Sequence, residues 1–190
     1  MSARTPAIIL GGTGYVAGEL LRLVLGHPRL ELAAIASDSQ PGEPVAKAFP
    51  HLAAACGGLQ YVSLEQAMDK VAKLPRSAVL AAAPHGFSHK LLDTLLTRAE
   101  AAGTKPTVVD ISADFRYADL DEYARVYKHA HGAPARAAQF TCAVPEHLDR
   151  APTPHAAHPG CFSTATLLAS VPLLALDLVE PQLFVSAVTD

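Results

Sequence analysis

Two rhythms of hydrophobic and polar positions run along the chain. Short, unbroken apolar runs alternate with longer stretches in which apolar residues recur every third or fourth position. Ala7-Ile-Ile-Leu10 predicts a first buried strand, and residues 30–36, 78–83 and 107–110 predict three more. Between them, residues 19–25 place Leu20, Leu21, Val24 and Leu25 at helical spacing, and Gly26 ends that helix. Residues 64–74 predict a second helix closed by Pro75. Residues 87–102 predict a third, with Leu91, Leu92, Leu95 and Leu96 on its inner face. Farther on, residues 132–154 are rich in Ala and Pro without a period and predict a long irregular loop. Residues 164–170 predict a helix that Pro172 ends or kinks, and the alternation of residues 183–188 predicts a strand. No internal repeat is present.

Strand–helix alternation of this kind predicts an α/β fold: a Rossmann-like, doubly wound, mostly parallel sheet with right-handed crossovers. We expect residues 1–160 to form the dinucleotide-binding domain and residues 161–190 to begin a second, α+β, catalytic domain. The chain ends at Asp190 with nothing to cover the last expected strand, so we expect that second domain to be truncated.

Composition narrows the classes. Half of the residues are apolar and 17% are charged, enough to bury a core and too apolar for a disordered chain. The net charge of −3, with nine scattered histidines, offers no basic surface for nucleic acid. Three cysteines at irregular spacing exclude a complete disulfide framework, and no CxxC pair suggests zinc. The polar N-terminus has no signal-peptide core, and no run of about 18 apolar residues exists for a membrane span. A soluble cytoplasmic protein is expected.

Chemistry concentrates where strands end. Gly11-Gly-Thr13-Gly14-Tyr15-Val16-Ala17-Gly18 follows the first strand and opens the first helix, the setting of a pyrophosphate-binding turn. Gly11 allows the tight turn, Gly14 lets phosphate approach backbone N–H groups, and Ala17 or Gly18 lets the helix pack close. A glycine-rich turn also occurs with no ligand; its place in the first βαβ unit favours the binding reading. Ser37-Asp38-Ser39 stands past the second strand, where an adenine ribose would lie. A carboxylate there suits the 2′-hydroxyl of NAD and hydroxyls suit the 2′-phosphate of NADP, so the residues leave both open.

Pro84-His85-Gly86 and Asp110-Ile-Ser112-Ala-Asp114-Phe-Arg116 also follow strands, and Ser112, Asp114 and Arg116 are candidates to reach the crevice. In His158-Pro159-Gly160-Cys161, a cysteine follows a Pro-Gly turn at a helix start, where free N–H groups and the macrodipole stabilise a thiolate. Such a thiolate can attack an activated acyl group; the plainer alternative is a small buried residue. Cys56 and Cys142 have no such setting. The pairs His129/His131 and His155/His158 lack a partner carboxylate or thiol, so no metal site is assigned.

Six stretches in order, Gly11-Gly-Thr-Gly-Tyr-Val-Ala-Gly-Glu-Leu20, Phe49-Pro-His-Leu52, Ala83-Pro-His-Gly86, Val109-Asp-Ile-Ser-Ala-Asp-Phe-Arg116, Val144-Pro-Glu146 and His158-Pro-Gly-Cys161, resemble the N-acetyl-gamma-glutamyl-phosphate reductase family of arginine biosynthesis. Aspartate-semialdehyde dehydrogenases are similar in plan but match Asp110–Arg116 and Pro84–Gly86 less well.

The resemblance implies that Cys161, as thiolate, attacks the substrate acyl phosphate, expels inorganic phosphate and forms a thioester, which NADPH reduces to the semialdehyde. It implies that Gly11, Thr13, Gly14, Tyr15, Val16, Ser37, Ser39, Pro84, His85 and Gly86 bind the cofactor, NADP with NAD as the alternative. Ser112, Asp114, Arg116, Pro159 and Gly160 would bind substrate. The partners implied are the acyl phosphate and inorganic phosphate, and a full-length form would be a homo-oligomer, without nucleic acid or membrane.

Three departures bear on it. Asp38 stands near where members often carry a 2′-phosphate partner such as arginine. Phe162-Ser163 replaces the commoner Tyr-Pro, which points also to a one-carbon-longer aminoadipyl substrate of lysine biosynthesis. The family's second half, which brings the acid–base histidine, has no counterpart here, so the chain alone is expected to be inactive. A catalytically incomplete nucleotide-binding fragment is the competing reading. A cysteine hydrolase is a third, which has no use for the glycine turn.

Overall fold

The computed structural model describes residues 3–149 and 152–188. Six strands, β1 (Thr5–Leu10), β2 (Leu30–Ala36), β3 (Arg76–Ala81), β4 (Lys105–Asp110), β5 (Phe140–Cys142) and β6 (His155–Ala157), form one sheet in the order β2-β1-β3-β4-β6-β5. Every pairing is parallel. Parallel neighbours require crossovers, and helices run in them: α1 (Tyr15–Leu25), the single turns α2 (Val45–Ala48) and α3 (Ala53–Cys56), then α4 (Leu64–Lys73), α5 (Ser88–Ala101) and α6 (Leu120–Tyr127), while α7 (Cys161–Ala175) follows the last strand.

β1 is an interior strand, with Ile9 opposite Ile35 of β2 on one side and Leu80 of β3 on the other. That is why its sequence is apolar without alternation: a strand covered on both faces has no polar side. Its side chains divide by parity. Ile8 and Leu10 pack with Met68 and Val71 of α4 and Leu91, Leu92, Leu95 and Leu96 of α5. Ala7 and Ile9 pack with Leu21 and Val24 of α1, Phe49 and Tyr61. The sheet is doubly wound, as expected. α4 starts on a reciprocal capping box, Ser63 Oγ accepting the Gln66 N–H while the Gln66 side chain accepts the Ser63 N–H.

Three expectations are corrected. Residues 132–154 are not one long loop: a 3-10 turn at Pro134–Gln139, the strand β5 and another 3-10 turn at Pro145–His147 lie within them. These elements are too short for a period to register, and tertiary pairing with β6 makes β5 a strand. Residues 183–188 form no strand and are exposed, because no backbone among the described residues offers the ladder their alternation would need. The last helix runs from Cys161 to Ala175 and carries Pro172 inside it. α6 was not expected, although Asp119 caps it through the Asp121 and Glu122 N–H groups.

Candidate functional site

The chain turns back at β1. β2 lies on one side of it and β3, the next strand, on the other, so the loops after these strands part and leave a crevice at their C-terminal ends. The five sequence-predicted segments all follow strands of this parallel sheet: residues 11–16 after β1, 37–39 after β2, 84–86 after β3, 110–116 at the end of β4, and 158–161 after β6. Parallel order therefore carries all five to one edge.

A cleft of about 410 Å³ is lined by Gly11, Gly12, Thr13, Gly14, Ser37, Asp38, Ser39, Ala82 and Pro84. Beside it, a cleft of about 200 Å³ is lined by Val16, Ala82, Ala83, His85, Ile111 and Ser112. Among the predicted cofactor residues, Tyr15 is 97% exposed and projects outside both linings. Gly86 is likewise in neither, its N–H turned to Asp114.

The glycine turn fits a pyrophosphate on its own geometry. Gly11 has φ +80°, and a Cβ there would stand 2.4 Å from the Ala82 carbonyl oxygen, so no side chain is accommodated. At Gly18 a Cβ would meet the Phe49 ring at 2.8 Å, which is what the close helix packing requires. Gly14 caps α1 without a side-chain bond, no acidic residue sits in the first turn, and a Cβ at Gly14 would meet nothing within 4 Å. The first N–H groups of α1 thus have no capping side chain, and the turn before them leaves room at Gly14, the arrangement that holds an anion. Beneath it, buried Tyr61 donates from its hydroxyl to the Gly12 carbonyl at 2.9 Å. Tyr61 is 49 positions away, and no local pattern could have pointed to it.

On the β4 side, a buried network fixes the loop. The Asp110 carboxylate accepts from Ser88 Oγ at 2.7 Å, Ser112 Oγ at 2.6 Å and the Ser112 N–H at 3.2 Å. Burial raises the Asp110 carboxyl above the usual aspartate range, against the pull of these donors. Asp114 accepts from the Gly86 N–H at 2.8 Å, the His89 N–H at 3.0 Å and the Tyr123 hydroxyl at 3.4 Å. Ser112 and Asp114 are each 1% exposed, and their bonds run into the protein. His85 Nδ1 accepts the Ala113 N–H at 2.8 Å, which leaves the other face of its ring on the smaller cleft.

The cysteine turn is tied to the same β4 end. His158 donates its N–H to the Asp110 carbonyl at 2.8 Å, and its own carbonyl accepts from Arg116 Nε at 3.0 Å. Its Nδ1 accepts the Gly160 N–H at 3.1 Å, so the proton sits on Nε2, which donates to Thr164 Oγ1 at 3.3 Å. Burial, then the Arg116 charge, push the His158 imidazole below its ordinary value. Gly160 has φ +104°, and a Cβ there would meet Arg116 Nη1 at 3.1 Å. Cys161 begins α7 and is exposed, while Cys56 is buried and Cys142 half-buried. Pro159 is half-buried within the turn. Among the described residues no group of three or more His, Cys, Asp or Glu side chains is placed to hold a metal ion. No helix among them is long and apolar enough to cross a membrane.

Comparison with known proteins bears on this edge. The profile of the family described as "Semialdehyde dehydrogenase, NAD binding domain" matches residues 6–162. An N-acetyl-gamma-glutamyl-phosphate reductase of Pseudomonas putida is 41% identical over 177 residues, covering 92% of this chain and 48% of that protein. One of Azotobacter vinelandii is 41% identical over 182 residues, covering 90% and 48%. The chain spans about half the length of the curated relatives it matches. Among solved structures, an aspartate semialdehyde dehydrogenase with NADP from Candida albicans superposes with a TM-score of 0.56 at 17% identity, over 92% of this chain and 48% of that one. That likeness shows the fold.

Proposed function

This chain belongs to the semialdehyde dehydrogenase family by its NAD-binding domain, and on that premise we propose that it serves the reduction of N-acetyl-gamma-glutamyl phosphate to N-acetylglutamate semialdehyde, a cytoplasmic step of arginine biosynthesis. The observation that carries this reading is the placement of two helix starts on the same C-terminal edge of the sheet: the uncapped α1 after β1, and α7 with the exposed Cys161 after β6.

Each does separate work. Cys161 Sγ, as thiolate, attacks the acyl carbon: a C–S bond forms, the C–O bond to phosphate breaks, and phosphate leaves with the electron pair. The α1 N-terminus and the Gly11–Gly14 backbone hold the dinucleotide pyrophosphate, and Val16 and His85 line the cleft beside it. When bound, the dinucleotide supplies the hydride that reduces the thioester carbon; family resemblance implies NADP, with NAD the alternative. Cys161 then departs with the C–S electron pair, freeing the aldehyde. Arg116 and His158 keep the Cys161 turn in place. The partners are the acyl phosphate and inorganic phosphate, and the full-length form is a homo-oligomer.

The deciding experiment follows dinucleotide reduction during phosphate-dependent oxidation of N-acetylglutamate semialdehyde, with this chain and with Cys161→Ala. It is paired with mass spectrometry of Cys161 after exposure to the acyl phosphate and to its one-carbon-longer homologue. A thioester on Cys161, with any turnover lost in the variant, supports the reading, and the better acyl donor names the substrate. Neither thioester nor turnover overturns it for this chain, leaving a nucleotide-binding piece without catalysis.

A further inference from the structure

The dinucleotide reading leaves one choice at the end of β2: whether the adenosine ribose carries a 2′-hydroxyl or a 2′-phosphate. Ser37, Asp38 and Ser39 form that wall of the 410 Å³ cleft. Sequence alone offered two hydroxyls and a carboxylate side by side. The structure separates them. Ser37 is buried, its Oγ accepts the Gln40 N–H at 3.2 Å, and it lies 3.3 Å from Ser39 Oγ in a shared hydrogen bond. The two hydroxyls are engaged in closing the turn. Asp38, between them, is exposed, and among the described residues it makes no hydrogen bond or ion pair within the protein.

The other half of the observation is charge. Among the described residues no lysine or arginine lines this cleft. The basic side chains of α1 and α2, Arg22 and Lys47, are engaged with Glu19 and Glu43 at 2.9 and 2.8 Å. A ribose 2′-hydroxyl is a donor that a free carboxylate accepts. A 2′-phosphate is chiefly an acceptor at neutral pH and carries about −1.5 to −2 charge. It would stand beside Asp38 as a like charge, with no cation in the lining to offset it.

We propose that this cleft takes the dinucleotide with an unphosphorylated ribose, NAD(H) in preference to NADP(H), and that Asp38 is the residue that sets the preference. The inference rests on the dinucleotide reading of the glycine turn and replaces the family's NADP expectation for this chain.

The test is equilibrium binding of NADH and NADPH to the whole chain, read by nicotinamide fluorescence, for wild type, Asp38→Ser and Asp38→Arg. Asp38 is exposed, so neither variant disturbs the core. We expect wild type to bind NADH about tenfold or more tightly than NADPH. Asp38→Ser should bring the two Kd values together, and Asp38→Arg should reverse their order. Wild type binding NADPH as tightly as NADH, or more so, overturns the preference and leaves the dinucleotide site standing. A preference for NADH that survives both substitutions overturns the role of Asp38. Binding of neither dinucleotide to any of the three proteins overturns the reading of the glycine turn itself, and this inference with it.

Discussion

Arg116 donates from Nε to the His158 carbonyl at 3.0 Å, joining residues 42 positions apart and tying the loop after β4 to the turn that presents Cys161. The His158 N–H already bonds the Asp110 carbonyl at 2.8 Å, so both sides of one peptide segment are fixed to the β4 end. Lysine cannot reproduce a planar Nε donor at that angle. Arg116→Ala and Arg116→Lys are both expected to lower stability by about 1.5–3 kcal/mol. Amide exchange across residues 158–164 should quicken more than in the sheet. Mass-resolved hydrogen exchange reads this, and unchanged protection there would show that the bond does not hold the turn.

Much of this edge is legible in the sequence. β1, the glycine turn and α5 register because a strand buried on both faces and a helix with one apolar stripe leave long, regular patterns. What sequence could not show is who holds whom. Tyr61 under Gly12 and Asp114 over Gly86 are contacts across 49 and 28 positions, and no spacing rule reaches that far. β5 and β6 span three residues each and owe their conformation to each other and to β4. The alternation at 183–188 misled for the opposite reason: it describes a strand with no sheet to join.

Asp114 caps α5 from outside. The helix's own N-cap, Phe87, makes no side-chain bond, and Asp114 accepts the Gly86 and His89 N–H groups at 2.8 and 3.0 Å instead. Asp114→Ala removes the acceptor of both donors and of the Tyr123 hydroxyl, leaving the His89 N–H and that hydroxyl unpaired in a buried site while exposed Gly86 can turn to water. We expect a loss on the order of 3 kcal/mol, measured by urea unfolding, with Asp114→Asn losing less because it keeps one acceptor oxygen. Equal stability of wild type and the alanine variant would remove Asp114 from this role.

Two histidines, buried His155 and half-buried His158, should make the fold acid-sensitive, alongside buried His89, whose imidazole burial also pushes below its ordinary value. His155 accepts the Val108 N–H on Nδ1, and His158 accepts that of Gly160. Both imidazoles lie below the ordinary 6.5, first through burial and then through Arg136 and Arg116 respectively. The unfolded chain therefore binds more protons than the folded one around and below 6.5. Their contribution is present above that value and is lost as pH falls through the depressed folded values. The urea midpoint should drop between about pH 7.5 and 5.5. The drop should shrink in His158→Asn, whose amide oxygen still accepts from Gly160. A slope unaffected by that substitution would assign the acid sensitivity elsewhere.

Thiol chemistry separates the three cysteines. Cys161 is exposed, whereas burial raises the thiols of Cys56 and Cys142 above their ordinary value. Access favours Cys161, and the raised thiols of the other two are the poorer nucleophiles at neutral pH. Iodoacetamide should label it well before the other two, with all three reacting in urea, and Cys161→Ala should abolish the fast phase. Mass spectrometry of the labelled peptides checks this, and early modification of Cys56 would contradict the burial described here.

α7 and the segment after it form the apolar exception on this surface. None of the helix's fifteen residues is buried, although Leu168, Leu173 and Phe162 lie on it, and Phe184 beyond it is 95% exposed. Together they line a cleft of about 410 Å³ built from Phe162, Ala165, Thr166, Ala169, Ser170 and Leu173 against residues 183–187. An uncovered face of this kind gains by leaving water wherever it finds another apolar surface. In isolation the chain is expected to associate as its concentration rises, and to brighten a hydrophobic dye. The double variant Leu173→Gln, Phe184→Ser should weaken both effects, since it removes two large apolar side chains without touching either core cluster. Light scattering across a concentration series decides it. A monomer at every concentration, dark to the dye, would mean that this face is covered in solution by a rearrangement of α7 and residues 176–188.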